Sequence, residues 1–375
     1  MADIKVPYLD LKAQYRSIKP EIDQAIARVL ESCQFVLGPE VAAFENEFAA
    51  YCGTTDCIAV NSGTSALHLA LLAAGVGPGD EVITVPFTFV ASVATILYTG
   101  AKPVLVDIEP RTFNMNPAAI QAAISPRTKA IMPVHLYGHP ADMDFIMDVA
   151  RKHGLIVIED AAQAHGARYK GRPVGTIGDI ACFSFYPAKN LGAYGEGGAV
   201  TTSNPVYAEK IRSLRDWGQD RKYHHVLHGY NYRLEAIQGA ILRVKMRHLE
   251  AWTEARRRIV EKYGHLLADA DVVLPAEMEW ARHVYHLFTV RSKNRDAAQA
   301  ALLNQGIQTG VHYATPVHLQ PAYRNLGYGP GSLPESEKAA KEVLSLPMYP
   351  ELTDAQLEIV AEALAACARR AEPVK

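Results

Sequence analysis

Residues Leu155–Gly166 read LIVIEDAAQAHG. The first four are apolar with no polar alternation, the pattern of a parallel strand covered on both faces. The run ends in two carboxylates. Comparable runs are Asp56–Val60 (DCIAV), Glu81–Val85 (EVITV), Pro103–Asp107 (PVLVD), Lys129–Val134 (KAIMPV), Ile180–Phe185 (IACFSF) and Gly198–Thr202 (GAVTT). Helical stretches separate several of them. Thr64–Ala74 is one such stretch, closed by GPGD at Gly77–Asp80. Strand alternating with helix predicts a doubly wound, mostly parallel seven-stranded α/β sheet between helices. Such sheets bind ligands outside the carboxyl ends of their strands, which puts Asp160 and Gln163 at that edge. For Asp160 alone, a helix N-cap is the competing reading.

After about Tyr232 the rhythm changes. A long helix is expected over Leu234–Leu267, then strands at His286–Ser292 and Ile307–Tyr313, and helices near Ser336–Leu344 and Asp354–Arg369. The expected division is a large domain over 1–245 and a smaller C-terminal α+β domain over 246–375. A chain of 375 residues, 49% apolar and 21% charged, can bury a sizeable core. Its net charge of −2 carries no basic bias toward nucleic acid or anionic membrane. The beginning, MADIKVPYLDLKAQY, lacks the apolar core of a signal peptide, and no run reaches the length of a membrane span. Five scattered cysteines, never spaced CxxC, fit reduced thiols better than disulfides or a zinc site. A cytoplasmic location is expected, with no nucleic-acid or membrane partner.

Three segments add chemistry. Asn61–Leu67 (NSGTSAL) leads from a strand into a helix. Its exposed N–H groups, helix dipole and hydroxyls suit an anion, and a plain capped helix is the alternative. Phe183–Val200 (FSFYPAKNLGAYGEGGAV) sets Lys189 between a strand and a glycine-rich loop. A lysine partly desolvated there loses pKa and becomes a nucleophilic amine, although most lysines are solvated surface charges. Pro86–Ser92 (PFTFVAS) places Phe89 after a strand end, as core or as an aromatic plate. An anion pocket, an amine and a carboxylate at one edge are what pyridoxal 5′-phosphate requires: an imine-forming lysine, and an acid that keeps the pyridine nitrogen protonated.

These motifs, with FVLGPEVAAFENEFA, GPGDEVITVPFTFVAS, PVHLYG, IEDAAQAHGA and GYNYRLEAIQGAIL, make a set that resembles the DegT/DnrJ/EryC1/StrS family of nucleotide-sugar aminotransferases, pyridoxal-phosphate enzymes of fold type I. The resemblance spans nearly the whole chain. It implies that Lys189 holds the cofactor and moves the proton, Asp160 pairs with the pyridinium nitrogen, Gln163 meets the ring hydroxyl and Phe89 stacks on the ring. It implies that Gly63, Thr64, Ser65 and Ser184 hold the phosphate. Asn231 would reach the phosphate in a partner subunit, making a homodimer with shared sites. L-Glutamate would be the donor and a nucleotide-linked keto-sugar the acceptor. Tyr186 and the NLGA tract resemble members acting on 3-keto sugars, where 4-keto members often carry SFHxxK. A dTDP-linked 3-keto-6-deoxyhexose is therefore expected, with a 4-keto sugar or a UDP-3-keto-hexuronate as alternatives.

Two departures stand out. Tyr232 replaces the Ser that many members have before the Arg, and His165 is expected to line the cofactor edge or sit as a satisfied structural residue. Tyr8, Gln34 and Phe35 are expected to border the site, and so are Tyr313 and His318, from a proline-rich stretch that also holds His312, with a structural turn as the alternative. Gly218–Arg233 contains His224, His225 and His228. The expectation there is no metal, with His225 near substrate and Arg221, Lys222 and Tyr223 facing a diphosphate. A solvated basic loop is the alternative. Lys189 argues against a dehydratase, whose members usually carry His instead. A non-catalytic cofactor-binding regulator and a cyclitol aminotransferase complete the alternatives.

Overall fold

The computed structural model describes residues 4–368. The large sheet has seven strands: β1 (Asp56–Val60), β2 (Glu81–Thr84), β3 (Lys102–Leu105), β4 (Thr128–Ile131), β5 (Ile156–Asp160), β6 (Ile180–Ser184) and β7 (Gly198–Thr202). Their spatial order is β1-β7-β6-β5-β4-β2-β3. All pairings are parallel except those of β7, which runs antiparallel to both β1 and β6. Reversing β7 brings its first residue, Gly198, beside the last residues of β1 and β6, Val60 and Ser184.

Side chains on a strand alternate between faces. Ile58, Val60, Val82, Ala130, Ile158, Ile180, Cys182 and Val200 join one core cluster with α3 (Gly63–Ala73) and α7 (Pro205–Arg215). Their neighbours Cys57, Ala59, Ala181, Phe183 and Ala199 join another, with α2 (Gly38–Cys52) and α8 (Ala236–Leu266). Ile83, Ile131 and Val157 enter a third beneath α6 (Met143–His153). The strands are thus apolar on both faces because helices cover both, as the unalternated runs require.

α8 is continuous across the expected boundary at 245/246. Beyond it, β8 (Phe288–Arg291) pairs antiparallel with β9 (Val343–Leu346). Val6, from the N-terminal segment, packs in this cluster with Ile259, Phe288 and Ile307. Two expectations are corrected. Residues Ile307–Tyr313 form no strand; Ile307 and Gly310 make only isolated bridges, to Val6 and Ser345. The helix expected to reach Leu344 spans Pro334–Glu342, and Val343 onward is β9. An apolar VLSL can serve either form, and pairing with β8 decides. The last helix spans Asp354–Ala368, and Arg369 lies outside the described residues. Among the described residues, no helix is long and apolar enough to cross a membrane.

Candidate active site

A cavity of about 560 Å³ opens at the carboxyl ends of β1, β5 and β6. Its wall includes Gly63, Thr64, Phe89, Asp160, Gln163, Ser184, Tyr186, Lys189, Tyr8 and Tyr313. These residues span most of the chain, and strand direction brings them to one edge.

The α3 start forms one wall. Ser62 caps the helix by accepting from the Ser65 N–H at 3.0 Å. The first N–H groups of a helix have no partner within it and carry the positive end of its dipole. Glycine lets three segments meet here. A Cβ on Gly63 would lie 2.6 Å from Ser184 Cβ, and one on Gly198 would lie 2.3 Å from the Ser62 carbonyl oxygen. The result is a cradle of N–H groups with the Thr64 and Ser184 hydroxyls at its rim, chemistry suited to a phosphate. Ser65, also expected at the phosphate, does not line the cavity, and its hydroxyl donates to Asn61 Oδ1 at 2.6 Å.

Asp160 closes β5 and is buried. Ser92 Oγ donates to its Oδ2 at 2.7 Å and the Ala162 N–H to its Oδ1 at 3.2 Å. Burial raises its pKa above the ordinary carboxylate value, against the lowering effects of Ser92, Ala162 and the Lys189 charge. A cationic group in the cavity would relieve that cost. Lys189 sits on the turn after β6, with its N–H donating to the Tyr186 carbonyl at 2.8 Å. Burial pushes its ammonium down to about 8, and Asp160 opposes the fall. The free amine is the form that attacks an aldehyde. Imine formation on the apoprotein is therefore expected to accelerate about tenfold per pH unit below 8 and to level off above it. Stopped-flow absorbance with pyridoxal 5′-phosphate checks this.

Gln163 accepts from the Tyr137 N–H at 2.7 Å, which turns its amide nitrogen toward the Tyr313 hydroxyl at 3.2 Å. Phe89 is 56% exposed, so it is not core; Phe87, two residues earlier, is fully buried instead. The Phe89 ring stands 6.2 Å from that of Tyr313, and both residues line the cavity.

Other expected residues fall outside the cavity wall, Gln34 among them. His318 is corrected: it is buried, with Nε2 3.2 Å from Glu337. Phe35 is exposed on the segment between α1 (Leu11–Ser32) and α2. His225 is exposed on the hairpin of Gln219–Arg221 and His224–His225, with Nδ1 2.9 Å from the Trp217 carbonyl oxygen. Asn231 is exposed, its side-chain oxygen accepting from Arg233 Nε at 3.1 Å. His165 neither lines the cavity nor is satisfied. It is buried between Phe183 and Phe185, burial lowers it to about 3, and neither ring nitrogen has a hydrogen-bond partner among the described residues. No metal-binding group of three or more ligands occurs among the described residues.

Sequence reasoning missed Ser92, His286 and Glu196, all on the cavity wall. Ser92 stands three residues after Phe89, on the first turn of α4 (Ala91–Tyr98), and that spacing was a usable signal. His286 arrives from the second half of the chain with no local mark.

The DegT/DnrJ/EryC1/StrS aminotransferase family model matches residues 16–365. The chain belongs to this family. The aminotransferase is 52% identical over 365 residues to a "Pleiotropic regulatory protein" of Geobacillus stearothermophilus, covering 96% of this chain and 98% of the relative. It is 48% identical over 369 residues to the dTDP-3-amino-3,4,6-trideoxy-alpha-D-glucose transaminase of Streptomyces venezuelae, covering 98% and 97%. Its fold superposes on S. venezuelae DesV, solved "in complex with ketimine intermediate", with a TM-score of 0.96, 48% identity, and coverage of 98% and 100%. It also superposes on NtdA from Bacillus subtilis, solved "with bound cofactor pmp", with a TM-score of 0.91, 33% identity, and coverage of 99% and 86%. The central α/β sheet is that of the fold type I aminotransferases.

Proposed function

We propose that this enzyme uses pyridoxal 5′-phosphate to move the amino group of L-glutamate to a nucleotide-linked 3-keto sugar, giving a 3-amino sugar. The observation that carries the reading is Lys189 and the buried Asp160 facing one cavity, beside a glycine-shaped N–H cradle. The residues present fit the cofactor. The α3 start with Gly63, Thr64 and Ser184 suits its phosphate. Asp160 suits a protonated ring nitrogen, Gln163 the ring hydroxyl and Phe89 the ring face. When bound, pyridoxal phosphate supplies an electron sink for the carbon that gains or loses the amine. Lys189 would hold the cofactor through its side-chain nitrogen and, once freed, would take a proton from the donor carbon and return one to the sugar carbon. Ser92 keeps Asp160 oriented.

Several features support a neutral 3-keto hexose. Tyr186 stands on the cavity wall, and the Streptomyces venezuelae relative is named for a dTDP-3-amino sugar. Among the described residues, that wall carries Asp160, Glu196 and Lys189 and no arginine. A hexuronate would bring a further carboxylate to that balance. A dTDP-linked 3-keto-6-deoxyhexose is the substrate we favour, ahead of a UDP-3-keto-hexuronate or a 4-keto sugar. We further propose a homodimer in which Asn231 faces the partner's phosphate and Arg221 and Lys222 its diphosphate. Exposed Phe35, Trp217, Tyr223 and Val226 are apolar surface that such a contact would cover.

The name of the Geobacillus relative favours a second reading, a cofactor-binding regulator without turnover. The visible spectrum separates the two. Protein loaded with pyridoxal phosphate is expected to be yellow and to bleach on adding glutamate. A yellow protein that glutamate leaves unchanged supports the regulator; a protein that takes up no cofactor overturns both. A panel of 3-keto and 4-keto sugar nucleotides then assigns the acceptor.

A further inference from the structure

α8 carries an unusual group. Lys245 is 1% exposed, and its Nζ donates to the Gly192 carbonyl at 2.5 Å. The ammonium lies 5.1 Å from the Tyr194 ring centre and 6.0 Å from that of Trp252. It makes no ion pair among the described residues. Glu351 is the acid whose charge favours it, and burial still lowers it to about 7. Burying an ammonium on a carbonyl and two rings costs stability compared with an apolar side chain of the same length. Fold maintenance alone does not call for a lysine there.

What the ammonium grips is the turn that bears Lys189. Lys189 N–H donates to the Tyr186 carbonyl, and Ala193 N–H to that of Phe185, each at 2.8 Å. Gly192 is pressed into this turn so closely that a Cβ would sit 2.3 Å from the Pro187 carbonyl oxygen. Fixing Gly192 therefore fixes Pro187 and the turn between them. α8 holds the same loop at a second point, where Gln238 Oε1 accepts from the Tyr194 N–H at 2.9 Å. Asn190 anchors it on the other side, donating to the Val284 carbonyl at 3.0 Å.

We propose that Lys245 is a positioning residue for Lys189: its ammonium, bonded to the Gly192 carbonyl, holds the turn so that the Lys189 amine points at the reacting carbon. The inference rests on the aminotransferase reading above. Lys245 touches neither cofactor nor substrate; it acts through Gly192.

The test compares Lys245→Met, which keeps the length and removes the donor, with Lys245→Gln, which keeps a donor. With pyridoxal 5′-phosphate bound, the pH midpoint of the visible band reports the setting of the Lys189 nitrogen. Lys245→Met is expected to displace that midpoint and lower kcat by about tenfold or more, with KM for the keto-sugar little changed, because misplacing a reacting group acts on the chemical step. The melting temperature of the apoprotein is expected to hold or rise. Lys245→Gln is expected to recover part of both losses. A wild-type midpoint and kcat in Lys245→Met would overturn the proposal. Should Lys245→Met not fold, the same two values at wild-type level in Lys245→Leu, which also lacks a donor, would overturn it. A wild-type protein without any visible band would instead refute the aminotransferase reading itself.

Discussion

Lys189→Ala is expected to abolish turnover, lowering kcat by about 10⁴-fold or more, because in the proposed reaction one side chain supplies both the covalent amine and the proton shuttle. The variant should stay folded. The lysine pays a desolvation penalty in the cavity, visible in its lowered pKa, and removing it relieves that cost. An unchanged or raised melting temperature with activity gone would separate loss of chemistry from loss of structure. The yellow band should also fail to form at any pH. A variant that keeps a few per cent of wild-type turnover would show that another group shuttles the proton.

The second large effect concerns Asp160→Asn. The change keeps shape and one hydrogen-bond acceptor for Ser92, and removes the charge. Losing one partner of a buried ionic contact costs about 3–5 kcal/mol, so kcat/KM is expected to fall by roughly 10²-fold or more. The sign of a companion effect follows from the same geometry. The Asp160 charge raises the pKa of Lys189. Its removal lowers the amine's pKa further, so the pH dependence of cofactor capture should move to lower pH. Faster capture at low pH combined with slower turnover is a signature that unfolding cannot produce. An unchanged capture profile would show that the two groups do not sense each other across the cavity.

How much of this was legible before folding varies by residue. Lys189 and Asp160 were legible because each follows an unalternated apolar run, and a parallel strand's direction sends its carboxyl end to the ligand edge. The motif around Gly63 was legible because a strand-to-helix turn exposes N–H groups whatever surrounds it. Within it the Ser65 hydroxyl donates to Asn61, a partner that the spacing alone does not reveal. His318 was misassigned because a histidine among prolines looks the same from sequence whether it faces a cavity or Glu337. Ile307–Tyr313 carries a strand-like pattern, yet its partners are the N-terminal Val6 and the distant Ser345, which make single bridges only.

By itself the sequence determined the alternation of strand and helix, the family, and the placing of an amine, an acid and a glycine-containing strand-to-helix turn at strand ends. Those properties depend on side-chain period and on short spacings along the chain. Only the tertiary structure decided which groups meet. It brought His286 and Tyr8 to the same cavity, buried His165 away from it, and set Lys245 on the carbonyl of Gly192, 53 positions away. Burial of this kind sets pKa values and orientation. It arises from packing between segments far apart in the chain, so no local spacing encodes it.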